Sequence, residues 1–213
     1  METQSRSVGL LITFAIKENL RFLSHAETLR LWQRAIIRSG ISLVHTKGFN
    51  PRPKISLPLP RSVGVQTDCD LVYAEITENA DIEGMRPSLE RQIPDGCRVI
   101  GFETVEKRKP PQPQKVEYRF EVDEQTAKQI CRRGEDVISS EKLTVERTVP
   151  KGKIRLIDVR PFIENIMINE NKVTVLCNVS NEGSIRIEEM LGLLNAQMER
   201  LLSPVTRTKI VWN

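Results

Sequence analysis

The sequence predicts an α+β protein made of two tandem ferredoxin-like (βαββαβ) units with antiparallel sheets, and three observations lead there. The 213-residue chain is cut near its midpoint by Lys107–Lys115, where three prolines and four basic residues replace apolar periodicity. That composition reads as an extended linker between an N-terminal domain, 1–106, and a C-terminal domain, 116–213. On both sides the hydrophobic patterns follow one order, strand, helix, two strands, helix, strand, although the halves share negligible sequence identity. Finally, 39% apolar and 28% charged residues describe a globular chain, and each half is long enough to bury a core.

In the first half, Val8–Phe14 is apolar and β-branched enough for a strand, continuing irregularly to Leu23. Ser24-His25-Ala26-Glu27 has the S-x-x-E form of a capping box, in which the Ser hydroxyl and the Glu carboxylate satisfy amides at a helix start. The helix is expected to reach Ser39 and stop at Gly40, with Leu29, Trp32 and Ile36 on its buried face. Lys54–Leu59 and Leu71–Ile76 read as strands, Ile82–Gln92 as a helix, and Cys97–Val105 as the closing strand.

The second half repeats the order with a strand at Val116–Val122, a helix from a cap at Asp123 to Ile138, and strands at Lys142–Val149 and Ile154–Val159. A further strand at Lys172–Val179 implies an elaborated middle hairpin. A helix over Ile185–Leu194 and a strand over Thr206–Trp212 complete the unit.

The longest apolar run, Gly9–Ile16, is far short of the roughly 20 residues that span a bilayer. METQSRS also lacks the basic-then-apolar pattern of a secretory signal, so no membrane partner and a cytoplasmic location are expected. Cys69, Cys97, Cys131 and Cys177 form no C-x-x-C pair and have no histidine at ligand spacing. They read as reduced thiols, with no metal and no cofactor. Asp68 and Asp70, flanking Cys69, have a spacing that can hold a cation but is common in ordinary turns.

Charge is concentrated rather than large. The net charge is only +4, yet between Arg21 and Arg61 eight basic residues face one acid, Glu27, so this segment carries +7 and the remainder −3. Arg30, Arg34 and Arg38 recur at four-residue steps and form one stripe on a helix. Guanidinium groups bind phosphate oxygens in bidentate fashion, which makes a nucleic-acid backbone a natural partner. A solvated face paired with carboxylates elsewhere is the alternative.

The following loop, His45-Thr46-Lys47-Gly48-Phe49-Asn50-Pro51-Arg52-Pro53-Lys54, combines three cations, an aromatic ring and two stiffening prolines. Single-stranded RNA recognition uses such parts, with phosphate on the cations and a base stacked on the ring. The candidate RNA- and phosphate-binding residues are therefore Arg30, Arg34, Arg38, Lys47, Gly48, Phe49, Asn50, Arg52 and Lys54. The two histidines, His25 and His45, flank the basic helix and are the candidates for general acid–base catalysis. Walker, G-x-G-x-x-G, G-x-S-x-G and H-E-x-x-H motifs are absent from the sequence.

Leu20-Arg21-Phe22-Leu23-Ser24-His25, then Arg30, Arg34-Ala35, Arg38-Ser39-Gly40 and Gly48-Phe49-Asn50-Pro51-Arg52-Pro53-Lys54-Ile55-Ser56, resemble the bacterial radical SAM-linked protein family. The likeness is dense over residues 9–76, and Arg52 stands where the family more often carries His. The resemblance implies an accessory chain acting beside a separate radical SAM protein in RNA metabolism. The chain itself has no C-x-x-x-C-x-x-C cluster motif.

Three functions follow from these residues. The first is an RNA-binding accessory that presents tRNA or rRNA to a partner enzyme. The second is a metal-independent endoribonuclease or RNA-modifying enzyme on tandem ferredoxin-like folds. The third is a protein-interaction module whose basic stripe docks on an acidic surface.

Overall fold

The computed structural model describes residues 6–78, 81–106, 109–149 and 152–213. Among them the protein is a mixed α+β chain with four α-helices and ten strands. It divides into two compact units between Gln112 and Pro113. The stretch read as linker is thus shorter at its C-terminal end than its composition implies, because Pro113 to Lys115 already form the start of a strand. Proline fits at the first residue of a strand, where the missing donor costs no internal ladder bond. Lys107 and Arg108 of that linker lie outside the described residues.

The first unit begins with β1 (Ser7–Ile16), whose alternate residues Leu10, Ile12 and Phe14 are fully buried. A 3-10 turn over Glu18–Phe22 replaces the irregular continuation of that strand. Helix α1 (His25–Arg38) starts at the expected capping box: Ser24 Oγ accepts from the Glu27 amide at 3.3 Å, and Glu27 Oε2 accepts from the Ser24 amide at 2.8 Å. Ser39 caps its end and Gly40 follows at φ +88°. Thr28, Trp32, Ala35 and Ile36 form the buried face, while Leu29 is only half-buried. Trp32 meets Phe14 of β1 with ring centroids 4.8 Å apart, and burying each of these rings contributes about 2–3 kcal/mol.

The remaining elements are β2 (Ile55–Ser56), β3 (Gln66–Thr77), a 3-10 turn at Glu83–Met85 running into α2 (Arg86–Glu90), and β4 (Cys97–Val105). Within the unit the strand order is β4-β1-β3-β2, and each pairing is antiparallel. The strand expected over Lys54–Leu59 shrinks to two residues. Pro58 and Pro60 cannot donate to a ladder, so pairing with β3 stops at Ser56.

The second unit contains β5 (Pro113–Glu121), α3 (Glu124–Ser139), β6 (Thr144–Val149), β7 (Lys153–Asp158), β8 (Ile163–Asn169), β9 (Lys172–Asn178), α4 (Ile187–Leu193) and β10 (Thr206–Trp212). Asp123 caps α3 by accepting from the Thr126 amide at 2.9 Å. At the other end of α3, Arg160 donates to the carbonyls of Ile138, at 2.7 Å, and Ser140, at 3.1 Å, which a helix end otherwise leaves unmet. The strand order is β10-β5-β9-β8, again antiparallel.

One expectation needs correction. The two strands read as the middle hairpin, β6 and β7, form a separate two-stranded ribbon. The strand that pairs with β9 is instead β8, over residues to which the sequence pattern assigned no element. The ribbon is clamped to α4 by Arg147, whose Nε and Nη2 each lie 2.7 Å from the Glu189 carboxylate. Among the described residues, no helix is long and apolar enough to cross a membrane.

Candidate functional site

Arg30, Arg34 and Arg38 are all exposed on α1. An α-helix rises ~1.5 Å per residue, so the three step along it at ~6 Å intervals. They open onto a groove of about 630 Å³, to which the turn after α2 contributes Arg91 and Gln92. Leu20, Leu23, Leu31 and Ile93 supply its apolar lining. The turn is held by backbone bonds from Arg91 to Pro87, at 3.3 Å, and from Gln92 to Leu89, at 2.9 Å, and Leu89 is fully buried. Among the described residues, Arg34, Arg38 and Arg91 have no side-chain hydrogen bond or ion pair, and Arg30 influences Glu27 only through space.

Glu27 is the one acid lining this groove. Hydrogen bonds from the Ser24 side chain and then the Ser24 amide, helped by the charge of Arg30, hold its carboxyl below the usual range. It is therefore ionised and engaged with the helix cap rather than with the arginines.

Not every cation of the basic segment remains available. Arg61 is buried, with Nε 3.5 Å from Asp70 and Nη1 donating to the Arg21 carbonyl at 2.9 Å. Its role is to tie the chain before β3 to the start of α1, where its Nη2 also reaches Thr28 at 3.5 Å. Lys54 Nζ lies 2.7 Å from the half-shielded Glu75 carboxylate. The Arg21 guanidinium covers the Phe22 ring at 4.5 Å. Asp68 and Asp70 do not form a joint cation site, since Asp68 meets Lys17 at 2.6 Å while Asp70 faces Arg61. Among the described residues, no cluster of His, Cys, Asp and Glu is arranged to hold a metal.

The loop has a fixed base and an open tip. A bridge pairs His45 with Pro53, the Thr46 amide donates to the Arg52 carbonyl at 2.8 Å, and the Lys54 amide donates to Val44 at 2.8 Å. Beyond this base Lys47, Gly48, Phe49, Asn50 and Arg52 are exposed, and the Phe49 ring is bare to solvent. Gly48 turns the tip at φ +135°, which a side chain would disfavour. The loop residues do not line the arginine groove, so cationic stripe and aromatic tip are two separate features of one unit.

The histidines are not brought together. His25 is the first residue of α1, after the Ile16 end of β1. His45 follows Val44, which bonds to Glu75, and Glu75 pairs with Gly9 near the opposite end of β1. Seven residues of strand separate those levels by roughly 20 Å. His45 Nδ1 lies 3.0 Å from the Leu43 carbonyl, a contact it makes as a donor.

None of the four cysteines is in a disulfide. Burial pushes the thiols of Cys97 and Cys177 up to about 12, with Arg61 opposing slightly at Cys97. Cys69 is half-buried and Cys131 exposed.

Arg91 and Gln92 were beyond reach of a charge count over Arg21–Arg61, because only the fold carries the turn after α2 back to α1. A family model described as an uncharacterized protein conserved in bacteria (DUF2344) matches residues 10–200. The chain belongs to DUF2344. A comparison with curated proteins gives no match. The span shared with DUF2344 takes in both units, including α1, the 45–54 loop and the turn after α2.

Proposed function

We propose that this DUF2344 chain is a cytoplasmic, non-catalytic RNA-binding accessory that presents tRNA or rRNA to a separate radical SAM enzyme. The observation that carries the RNA reading is the line of guanidiniums without an ion pair among the described residues, Arg30, Arg34 and Arg38, with Arg91 beside them in the groove. Three cations spaced at ~6 Å over two helical steps suit an extended polyanion better than a compact anion, which can touch only one or two of them. Phe49, between Lys47 and Arg52 on the stiff loop, adds a surface on which an unpaired base can stack. The radical SAM partner comes from the resemblance of residues 9–76. Both units are read as ferredoxin-like because their strand orders correspond: fourth, first, third and second main strand, the β6–β7 ribbon being an insertion.

The nuclease reading requires an acid and a base close to one scissile phosphate, whereas His25 opens α1 and His45 lies in the loop beyond it, at levels roughly 20 Å apart along β1. The test uses protein freed of nucleic acid with high salt and nuclease. Labelled single-stranded RNA is expected to bind, and the double variant Arg34→Glu/Arg91→Glu, folded by circular dichroism, is expected to lose binding at least tenfold. Unchanged binding in that variant, or no binding in the parent, overturns the proposal. Capture of a radical SAM protein by nucleic-acid-free material with no RNA affinity would establish the protein-interaction reading instead.

A further inference from the structure

We infer that the chain pairs with a second copy of itself through the open edge of β8, antiparallel and about a two-fold axis at Met167; the inference is independent of the RNA reading. Among the described residues, β8 pairs with β9 on one side and with no strand on the other. An open strand edge is a template for another strand, and folded chains usually blunt it with charges, proline, a bulge or shortness. β4 follows that rule: its pairing with β1 shifts register midway, and Arg98 and Glu103 stand exposed on it. β8 does not. Its register shift falls between Ile163 and Asn165, and from Asn165 to Asn169 the ladder is regular, with neither charge nor proline.

The turn from β8 to β9 consists of Glu170, at φ +56°, and Asn171. In a hairpin this tight the closing residues, Asn169 and Lys172, exchange both main-chain bonds. Alternation then points the main-chain groups of Met167 and Asn165 toward β9, and those of Ile166 and Ile168 away from it. The Ile166 amide accordingly donates to a side chain, Asn165 Oδ1 at 2.9 Å.

The residues of this edge select the occupant. Asn165-Ile166-Met167-Ile168-Asn169 reads the same in both directions. Antiparallel pairing about Met167 sets Ile166 opposite Ile168, Asn165 opposite Asn169 and Met167 opposite itself, so no charge faces another within the run. Ile166 and Ile168 of each copy then exchange amide-to-carbonyl bonds with their counterparts. Their side chains, half-buried on the side where Ile166 lies against Gly134 of α3, meet across the axis, and the exposed Met167 pair meets on the opposite face. The next residues outward are both acids, but Glu164 is held by Lys115 at 2.7 Å and Glu170 belongs to the turn. Five residues a side are fewer than the roughly 20–30 of a standard interface, so the dimer dissociates on dilution.

The experiment is sedimentation velocity on protein freed of nucleic acid, so that no RNA strand bridges two copies, at roughly 5 and roughly 500 μM. The parent is expected to move from monomer toward dimer over that range. Met167→Lys and Met167→Glu, each folded by circular dichroism, set like charges opposite each other on the axis and are expected to weaken the dimer at least about three-fold at low salt. An equal mixture of the two sets Lys opposite Glu and is expected to associate at least about five-fold more tightly than either alone. A parent that stays monomeric at both concentrations overturns the inference. So does a dimer that both substitutions leave intact, or a mixture that associates no better than its components.

Discussion

Neutralising the α1 stripe should change how steeply binding responds to salt, by an amount that follows from the count of available cations. Six exposed cations belong to the proposed surface: Arg30, Arg34, Arg38, Lys47, Arg52 and Arg91. Each phosphate contact to a single strand contributes roughly 0.7 to the slope of log affinity against log salt, so full engagement gives a slope of about −4. Between about 50 and about 200 mM salt the parent then loses roughly 300-fold in affinity. Replacing Arg30, Arg34 and Arg38 by Gln, a good helix former, leaves three contacts, a slope of about −2 and a loss of only about 20-fold. Anisotropy titrations with one labelled single strand at four salt concentrations measure both slopes. A parent slope near zero, or a triple variant that retains the parent slope, would refute the assignment of phosphates to this stripe.

Glu27→Gln keeps an S-x-x-Q capping pair while removing the one acid lining the groove, and tighter RNA binding at unchanged helix content is expected from titration and circular dichroism. Trp32→Ala should cost about 3–5 kcal/mol in urea unfolding, because a fully buried ring packed on Phe14 is removed. Trp32→Phe should cost less, since among the described residues the indole N–H has no acceptor to lose. At Glu189 burial raises the carboxyl pKa, but the Arg147 side chain, the Arg186 amide and both arginine charges outweigh it and leave it lowered. The clamp is thus fully present above the ordinary Glu value of about 4.3 and is lost as pH falls through the lower folded value. Glu189→Gln should accordingly lower stability at pH 7 by about 1–3 kcal/mol and flatten the acid limb of a stability–pH curve. Thiol labelling of native protein near pH 8 should modify Cys131 first and spare Cys97 and Cys177, whose thiols are held near 12.

Legibility in the sequence tracked how local the controlling physics is. The capping box at Ser24, the stop at Gly40, the cap at Asp123, and the strands Cys97–Val105 and Thr206–Trp212 rest on neighbouring residues, and each was readable. Strand β8 was not. Its sequence, IENIMIN, carries two Asn residues, which strands disfavour, and it pairs only with β9 within its unit. The neighbouring TVERTV and KIRLID alternate more regularly, and they took its place in the reading although they pair only with each other.

The site divides in the same way. Helical spacing placed Arg30, Arg34 and Arg38 on one exposed line. A linear charge count, however, could not show that Arg61 and Lys54 answer to Asp70 and Glu75, which lie beyond the counted segment. Nor could it bring in Arg91 and Gln92. Of the eight cations in the segment, five are exposed without an ion pair or a covered ring among the described residues, and the fold adds a sixth.

The most direct test of the central claim, that the N-terminal unit carries an RNA strand along α1 and the 45–54 loop, is ultraviolet crosslinking to single-stranded RNA with mass-spectrometric identification of the modified peptides. Crosslinks are expected at Phe49 or His45 and in peptides spanning Leu20–Arg38 or Arg91–Pro94. Crosslinks confined to residues 113–213 would contradict it.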